Sequence, residues 1–173
     1  MENGTAVVIR PIRPDDEALL VRFHETLSER SVYFRYFHLI NLERRVAHER
    51  LTHICFIDYD REMALVAERK NPETGVQEII GVARLTSLQE GESAEFAVLV
   101  SDRVQRLGLG TEMLRRLVEI GRLENVGEIR GYIVPENIAM QTVAKKLGFQ
   151  LRYSQEERLM IAELSLTREA KLS

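Results

Sequence analysis

The stretch Ser101-Asp-Arg-Val-Gln-Arg-Leu-Gly-Leu-Gly-Thr-Glu-Met-Leu-Arg-Arg-Leu117 sets two glycines among arginines where a helical pattern begins. Glycine in a helix costs about 1 kcal/mol relative to alanine, so Gly108 and Gly110 demand a reason. Upstream, the apolar run Ala94-Glu-Phe-Ala-Val-Leu-Val100 reads as a central strand. A strand, a Gly-x-Gly turn and a helix together suit an anion. Residues without Cβ let N–H groups approach it closely, and the helix start adds unpaired N–H groups and a positive dipole end. A tight strand-to-helix turn would use the same two glycines. Spacing excludes two familiar phosphate loops. A dinucleotide fingerprint needs glycine where Met113 stands, and a nucleotide P-loop needs a Gly-Lys-Ser/Thr that is absent. The run Gln105-Arg106-Leu107-Gly108-Leu109-Gly110, followed by Thr111, matches a pyrophosphate loop of the form Gln/Arg-x-x-Gly-x-Gly/Ala throughout.

Working outward, Val7–Arg13 reads as a short edge strand stopped by Pro14, whose Pro-Asp-Asp then begins a helix. Leu19, Leu20, Phe23 and Leu27 give that helix its apolar face, and further helical stretches are expected over Ser31–Phe37 and Leu42–Leu51. The period then changes to two. Glu62–Glu68 and Glu78–Leu85 read as strands joined by the turn Asn71-Pro-Glu-Thr-Gly75. Beyond the glycine loop come a helix of about fifteen residues, the strand Ile129–Val134, and a helix Ile138–Leu147 with the stripe Met140, Val143, Ala144 and Leu147. Asn137 suits its N-cap and Gly148 its C′ position. Phe149–Tyr153 and Leu159–Leu166 close the pattern as strands. The expected class is α/β with a mixed sheet and helices on both faces, in one domain spanning 1–173 with its core at about 7–166.

Composition narrows the function. The 173 residues carry a net charge of −3, which gives no reason to expect nucleic acid. No apolar run approaches the ~20 residues of a membrane span, and no signal-peptide pattern opens the chain. Cys55 is the sole cysteine and lies in the apolar run Ile54–Ile57, so it reads as a buried thiol in a reducing, cytoplasmic setting. His24, His38, His48 and His53 show no metal-ligand spacing, and no metal is expected. Arg115 and Arg116 suit surface pairing with Glu112 and Glu119.

Taken together, the pieces Ala94–Val100, Gln105–Gly110, Thr111–Leu123, Ile129–Val134, Asn137–Lys146 and Leu147-Gly-Phe149 resemble the GNAT N-acetyltransferase superfamily. The resemblance spans about Val7 to Leu166 and implies the acyl-CoA N-acyltransferase fold, with a central, mostly antiparallel sheet. It implies that the glycine loop cradles the pyrophosphate of acetyl-CoA, the cosubstrate. The strand at Val98, Leu99 and Val100 would pair with the pantetheine arm, and Asn137 would help to hold it. The first half narrows the likeness. Ile9–Asp16, Leu27–Phe37 and Ile57–Ala67, together with Ala94–Val100, are similar to bacterial protein lysine acetyltransferases of the Pat type, which act on acyl-CoA synthetases and related enzymes. The large acyl-CoA-synthetase-like region or cyclic-nucleotide domain of many Pat proteins has no counterpart in this sequence.

Amine acetylation needs a base, because a lysine ammonium with a pKa near ~10.4 is almost wholly protonated at neutral pH. Glu95, within an apolar strand and sharing a face with Ala97 and Leu99, is the candidate. From the pattern alone, a solvent-facing strand acid is the commoner reading. The resemblance implies the base. It also sets Ala144 where many GNAT enzymes carry a tyrosine that protonates the departing thiolate. On the acceptor side, Tyr33 and Arg35 could orient a lysine-bearing loop, and Asp58 could draw in an ammonium, although helix packing and turn formation would use these residues too. Arg103 and Arg106 flank the loop and suit phosphate contacts. The expected activity is acetyl transfer from acetyl-CoA to a protein lysine, such as one on an acyl-CoA synthetase, by a monomer or homodimer. The alternatives are acetylation of a small amine, amino acid or antibiotic, and a non-catalytic acyl-CoA sensor.

Overall fold

The computed structural model describes residues 6–88 and 92–166. Seven strands form one sheet in the order β1-β2-β3-β4-β5-β7-β6: β1 Val8–Pro11, β2 Glu62–Lys70, β3 Gln77–Leu88, β4 Ser93–Val100, β5 Glu128–Ile133, β6 Gln150–Ser154 and β7 Leu159–Ser165. Neighbouring strands are antiparallel except β4 and β5. Helices α1 Glu17–Glu25, α2 Glu29–Tyr36, α3 Leu42–Arg45 and α4 His48–Cys55 precede β2, while α5 Leu109–Leu123 and α6 Ile138–Lys146 flank β5.

Alternation along the strands sorts side chains into two cores. Ala94 and Phe96 of β4 join Met113, Leu114 and Leu117 of α5, Ala144 of α6 and Phe149 on one face. Leu99 joins Leu20 and Phe23 of α1, Leu51 and Cys55 of α4, and Val66 and Ile79 on the other. The mixed sheet with helices on both faces is therefore as the sequence implies. No helix among the described residues is long and apolar enough to cross a membrane.

Helix α6 ends as its sequence directs. Asn137 Oδ1 accepts from the Met140 N–H, and Gly148 takes φ +94. The Phe149 N–H donates to Ala144 O and the Gly148 N–H to Lys145 O, completing a Schellman motif. The single helix expected over Leu42–Leu51 is instead two. Asn41 caps a first turn that stops where the Val46 N–H bonds Leu42 O, and α4 begins only at His48. The break turns Arg45 inward, where its Nη2 donates to His24 O and its Nη1 to Ile40 O.

His24 is buried, 4 % exposed, and its Nδ1 has no hydrogen-bond partner. Burial, reinforced by Arg45, Arg50 and Arg35, depresses its pKa from 6.5 to about 4. Between those values the unfolded chain binds a proton that the folded chain refuses, so stability falls as the pH drops through that window. Acidification from pH 6.5 to 4 should remove roughly 3 kcal/mol by this group alone. Denaturant titrations of His24→Gln across the window should show a correspondingly flatter pH dependence.

Candidate active site

Strand β4 changes partners along its length. On one side it pairs with β3 throughout, from Leu88↔Ser93 to Gly81↔Val100. On the other it shares only three rungs with β5, ending at Glu95↔Arg130. Phe96, the first residue past the last rung, lays its ring over Gly131 of β5, where a Cβ would come within 2.2 Å of the ring. From Phe96 to Val100 the backbone edge facing β5 has no ladder partner among the described residues. A sheet with an opened interior edge can add an extended ligand by backbone hydrogen bonds. Val98 and Val100 turn their side chains to the α5 core, whereas Leu99 is buried on the opposite face, so these residues offer a ligand backbone more than side chain.

The glycine stretch follows β4 directly. Asp102–Val104 forms a short turn of helix, Gln105 is extended, Arg106 adopts φ +65, and Gly108 sits at φ +81 as the N-cap of α5. A left-handed backbone at that position accounts for Gly108. Gly110 has a different reason. A Cβ there would meet nothing nearer than Val100 Cγ2 at 3.9 Å, so the chain's own packing does not require glycine. The N–H groups of Leu109, Gly110 and Thr111 precede the first helical bond, from the Glu112 N–H to Gly108 O, and no side chain caps them. Leu109 itself is buried in the core, leaving only its backbone for a ligand. Arg103 and Arg106 are exposed beside the loop.

Side chains distant in sequence hold the loop in place. Gln105 Nε2 donates to Val100 O and to Ser31 Oγ, both at 3.0 Å. The Asp102 carboxylate accepts from the Ser28 N–H, Ser28 Oγ and Ser31 Oγ at 2.8–3.1 Å. The Ser28-to-Arg35 segment thus does two jobs. Its serines anchor the glycine loop, and one turn later Arg35 enters a cleft on the opposite face from α5.

That cleft, about 460 Å³, is lined by Arg35, His53, Ile54, Glu62, Arg84, Thr86, Glu95, Phe96 and Ala97. Strand register builds its floor, with Glu62 opposite Thr86 and Thr86 opposite Glu95 across β2, β3 and β4. Glu62 is held by Arg84 at 2.7 Å, whereas no described side chain hydrogen-bonds the Glu95 carboxylate. Burial raises the Glu95 carboxyl above the usual range, and the nearby Arg35 guanidinium offsets part of that rise. Glu95 and Arg35 thus line the same cleft.

Tyr33 and Asp58 do not line this cleft. Tyr33 is 38 % exposed on the outer side of α2. Asp58 accepts from the Asp60 N–H and lies 3.8 Å from Arg61 in the turn before β2. Asn137 stands at the head of α6 with its Oδ1 committed to the cap. Ala144 is fully buried in the core. Cys55 is also buried, and burial pushes its thiol up to about 11, which leaves little thiolate for chemistry. No cluster of three or more metal-ligating side chains occurs among the described residues. Glu62, Arg84, Thr86 and His53 are cleft residues the sequence does not single out; strand pairing, which a single sequence does not display, is what gathers them.

Comparison with known proteins places this geometry. The family model of the acetyltransferase (GNAT) domain matches residues 6–150. A curated acetyltransferase of Pseudomonas aeruginosa is 29% identical over 149 residues, covering 86% of this chain and 77% of its own. Among solved structures, the GNAT domain of Streptomyces lividans PAT superposes with a TM-score of 0.83 at 25% identity, covering 95% of this chain and 93% of that one. The PaiA N-acetyltransferase of Thermoplasma acidophilum, solved with coenzyme A, gives a TM-score of 0.71 at 16% identity over 93% and 99% of the two chains. With an opened β4 edge, an uncapped glycine loop and a matching family model, the chain belongs to the GNAT acetyltransferases.

Proposed function

We propose that the protein transfers the acetyl group of acetyl-CoA to the ε-amine of a protein lysine, with Glu95 receiving the amine's proton. The observation that carries this reading is the unpartnered Glu95 carboxylate on the cleft floor, raised by burial, on the same strand that opens toward the donor. A base of raised pKa accepts a proton from an ammonium more readily than an ordinary carboxylate does. The PAT likeness and the Pat-like stretches of the first half favour a protein acceptor, such as an acyl-CoA synthetase.

For the donor, the N–H groups from Gly108 to Thr111 would meet the pyrophosphate, and the freed edge of Val98–Val100 the pantetheine arm. Gln105 serves by shaping the loop through Val100 and Ser31. Arg106 lies close enough in sequence to add charge. The Nδ2 of Asn137 is the side-chain donor its cap leaves available. Backbone N–H groups of the same strand would stabilise the oxyanion of the tetrahedral intermediate. With Ala144 buried, the coenzyme thiolate would leave without acid from that position, as the modest basicity of a thiolate allows.

Substitution at Gly110 separates ligand binding from folding. Gly110→Val should raise the KM for acetyl-CoA at least tenfold while thermal stability stays within about 1 kcal/mol, because helix propensity does not favour glycine over valine. An unchanged KM would remove Gly110 from the donor site. The acceptor is tested by mass spectrometry of an acyl-CoA synthetase incubated with acetyl-CoA and the enzyme. Acetyl-lysine on the protein is expected. Acetylation of small amines without any protein product would remove the protein-lysine reading and leave the acetyltransferase intact.

A further inference from the structure

Most partly buried arginines of this chain meet a carboxylate: Arg10, Arg69, Arg84 and Arg130 each lie within 3.1 Å of one. Around Tyr36 the pattern inverts. Arg35 of α2 and Arg50 of α4 place their guanidinium carbons 4.9 and 5.0 Å from the Tyr36 ring centroid, with Arg44 and Arg45 of α3 close by in sequence. Among the described residues none of these four forms an ion pair. Burial, together with the neighbouring charge of Arg50, depresses both Arg35 and Arg45. Arg45 donates to His24 O and Ile40 O, and Arg35 lies near Glu95, whereas Arg44 and Arg50 have no carboxylate among the described residues, an arrangement that favours an anion beside them.

A hollow is present to receive one. It measures about 400 Å³ and is lined by His38, Leu39, Ile40, Arg44 and Arg50. Its Arg50 and the Arg35 of the Glu95 cleft both lie against the Tyr36 ring. Since both guanidinium carbons lie about 5 Å from one ring centroid, they are no more than about 10 Å apart. The donor's phosphates are not the natural occupant, because the glycine loop is tied to Ser28 and Ser31, at the other end of α2.

We propose that this hollow is a second acceptor subsite, which takes a carboxylate side chain of the protein substrate close in sequence to the target lysine. The inference rests on the protein-lysine reading above. An Arg fork matches a carboxylate in two hydrogen bonds, and Leu39 and Ile40 suit the methylenes of glutamate. An extended segment advances roughly 3.3 Å per residue, so a separation of no more than about 10 Å places the acid within about three residues of the lysine.

The test is an oriented peptide library with a fixed central lysine, acetylated by the full chain with acetyl-CoA and read by sequencing the products. Asp and Glu should be enriched at least fivefold over Asn and Gln at one position within about three residues of the lysine. That enrichment should fall to near unity for Arg44→Gln and for Arg50→Gln. Arg44 is exposed, so its variant remains informative even if loss of the Tyr36 contact unfolds Arg50→Gln. A flat profile for the wild type, or enrichment that survives Arg44→Gln and a folded Arg50→Gln, overturns the subsite and leaves the lysine reading standing. If no library member is acetylated while free small amines are, the lysine reading falls and the subsite with it.

Discussion

Glu95→Gln is expected to slow acetyl transfer about 10²-fold at neutral pH, within the range that a positioned general base contributes. The substitution keeps the size and removes the one function that matters, which is accepting a proton. Wild-type rate should climb as the pH rises through the elevated pKa of Glu95, since only the carboxylate can serve. The variant should lose that limb. Its rate would instead follow the fraction of free amine, so the gap to wild type should narrow toward the ~10.4 of a lysine. A merely structural glutamate would give a gap independent of pH. A Gln variant within threefold of wild type at pH 7 would remove Glu95 as the base.

Stability gives an independent readout of the same side chain. A carboxyl raised by burial favours the folded state less as pH climbs past its pKa, because the unfolded chain ionises more easily. Neutral glutamine escapes that penalty. Glu95→Gln should therefore unfold at a temperature no lower than wild type at pH 7, while losing activity. Reduced activity accompanied by a large drop in melting temperature would point to a folding defect.

The parts of the site that were legible in sequence are those written in short-range spacing. Gln105-x-x-Gly108-x-Gly110 announces its loop within six residues, and Asn137 with Gly148 and Phe149 marks both ends of α6. Glu95 stands out as an acid interrupting an apolar run, a pattern that by itself assigns it no role. What stayed hidden depends on distance. The Gln105–Ser31 bond joins residues 74 apart, and the Glu62–Thr86–Glu95 row exists only once three strands take a particular register. No local pattern encodes either. The split between α3 and α4 was missed for a different reason: the apolar positions from Leu42 to Leu51 satisfy helical spacing, and tertiary bonds of Arg45 favour the break. Tyr33 and Arg35 have the same standing in sequence, yet their directions around α2 put one at the surface and the other in the cleft.

Asp16→Ala should destabilise the protein by about 3 kcal/mol, the lower end of the cost of breaking a buried ion pair. In sequence this residue looks like an acid favoured by the first turn of a helix. In the structure its side chain is 3 % exposed, receives Arg10 through Nη1 and Nη2 at 2.8 and 2.7 Å, and accepts the Arg13 N–H at 2.7 Å. Arg10 Nε in turn donates to Glu68 at 2.7 Å, so one guanidinium ties β1 to β2 and to the start of α1. Truncating Asp16 strands two of its donors and one backbone N–H in a poorly solvated place, though Glu68 keeps the cation partly matched. For a chain of this length the loss corresponds to a fall in melting temperature of roughly 6–12 °C. Burial alone would raise the Asp16 carboxyl; the Arg10 fork and the Arg13 N–H overcome it and hold the group below its ordinary value. Its contribution is then complete above the ordinary carboxylate pKa of about 3.9 and disappears as pH falls through the lower folded value. The difference between wild type and Asp16→Ala should accordingly be constant near neutrality and shrink only in acid below about pH 4. This window lies below that of His24, so the two groups can be told apart on one titration. Arg10→Met combined with Asp16→Leu should cost less than Asp16→Ala alone, because it removes the buried cation together with its partner and leaves only Glu68, 21 % exposed, without Arg10. If the double variant is the less stable of the two, the pair contributes net attraction beyond avoiding that mismatch, and the buried ion pair itself holds α1 against the sheet.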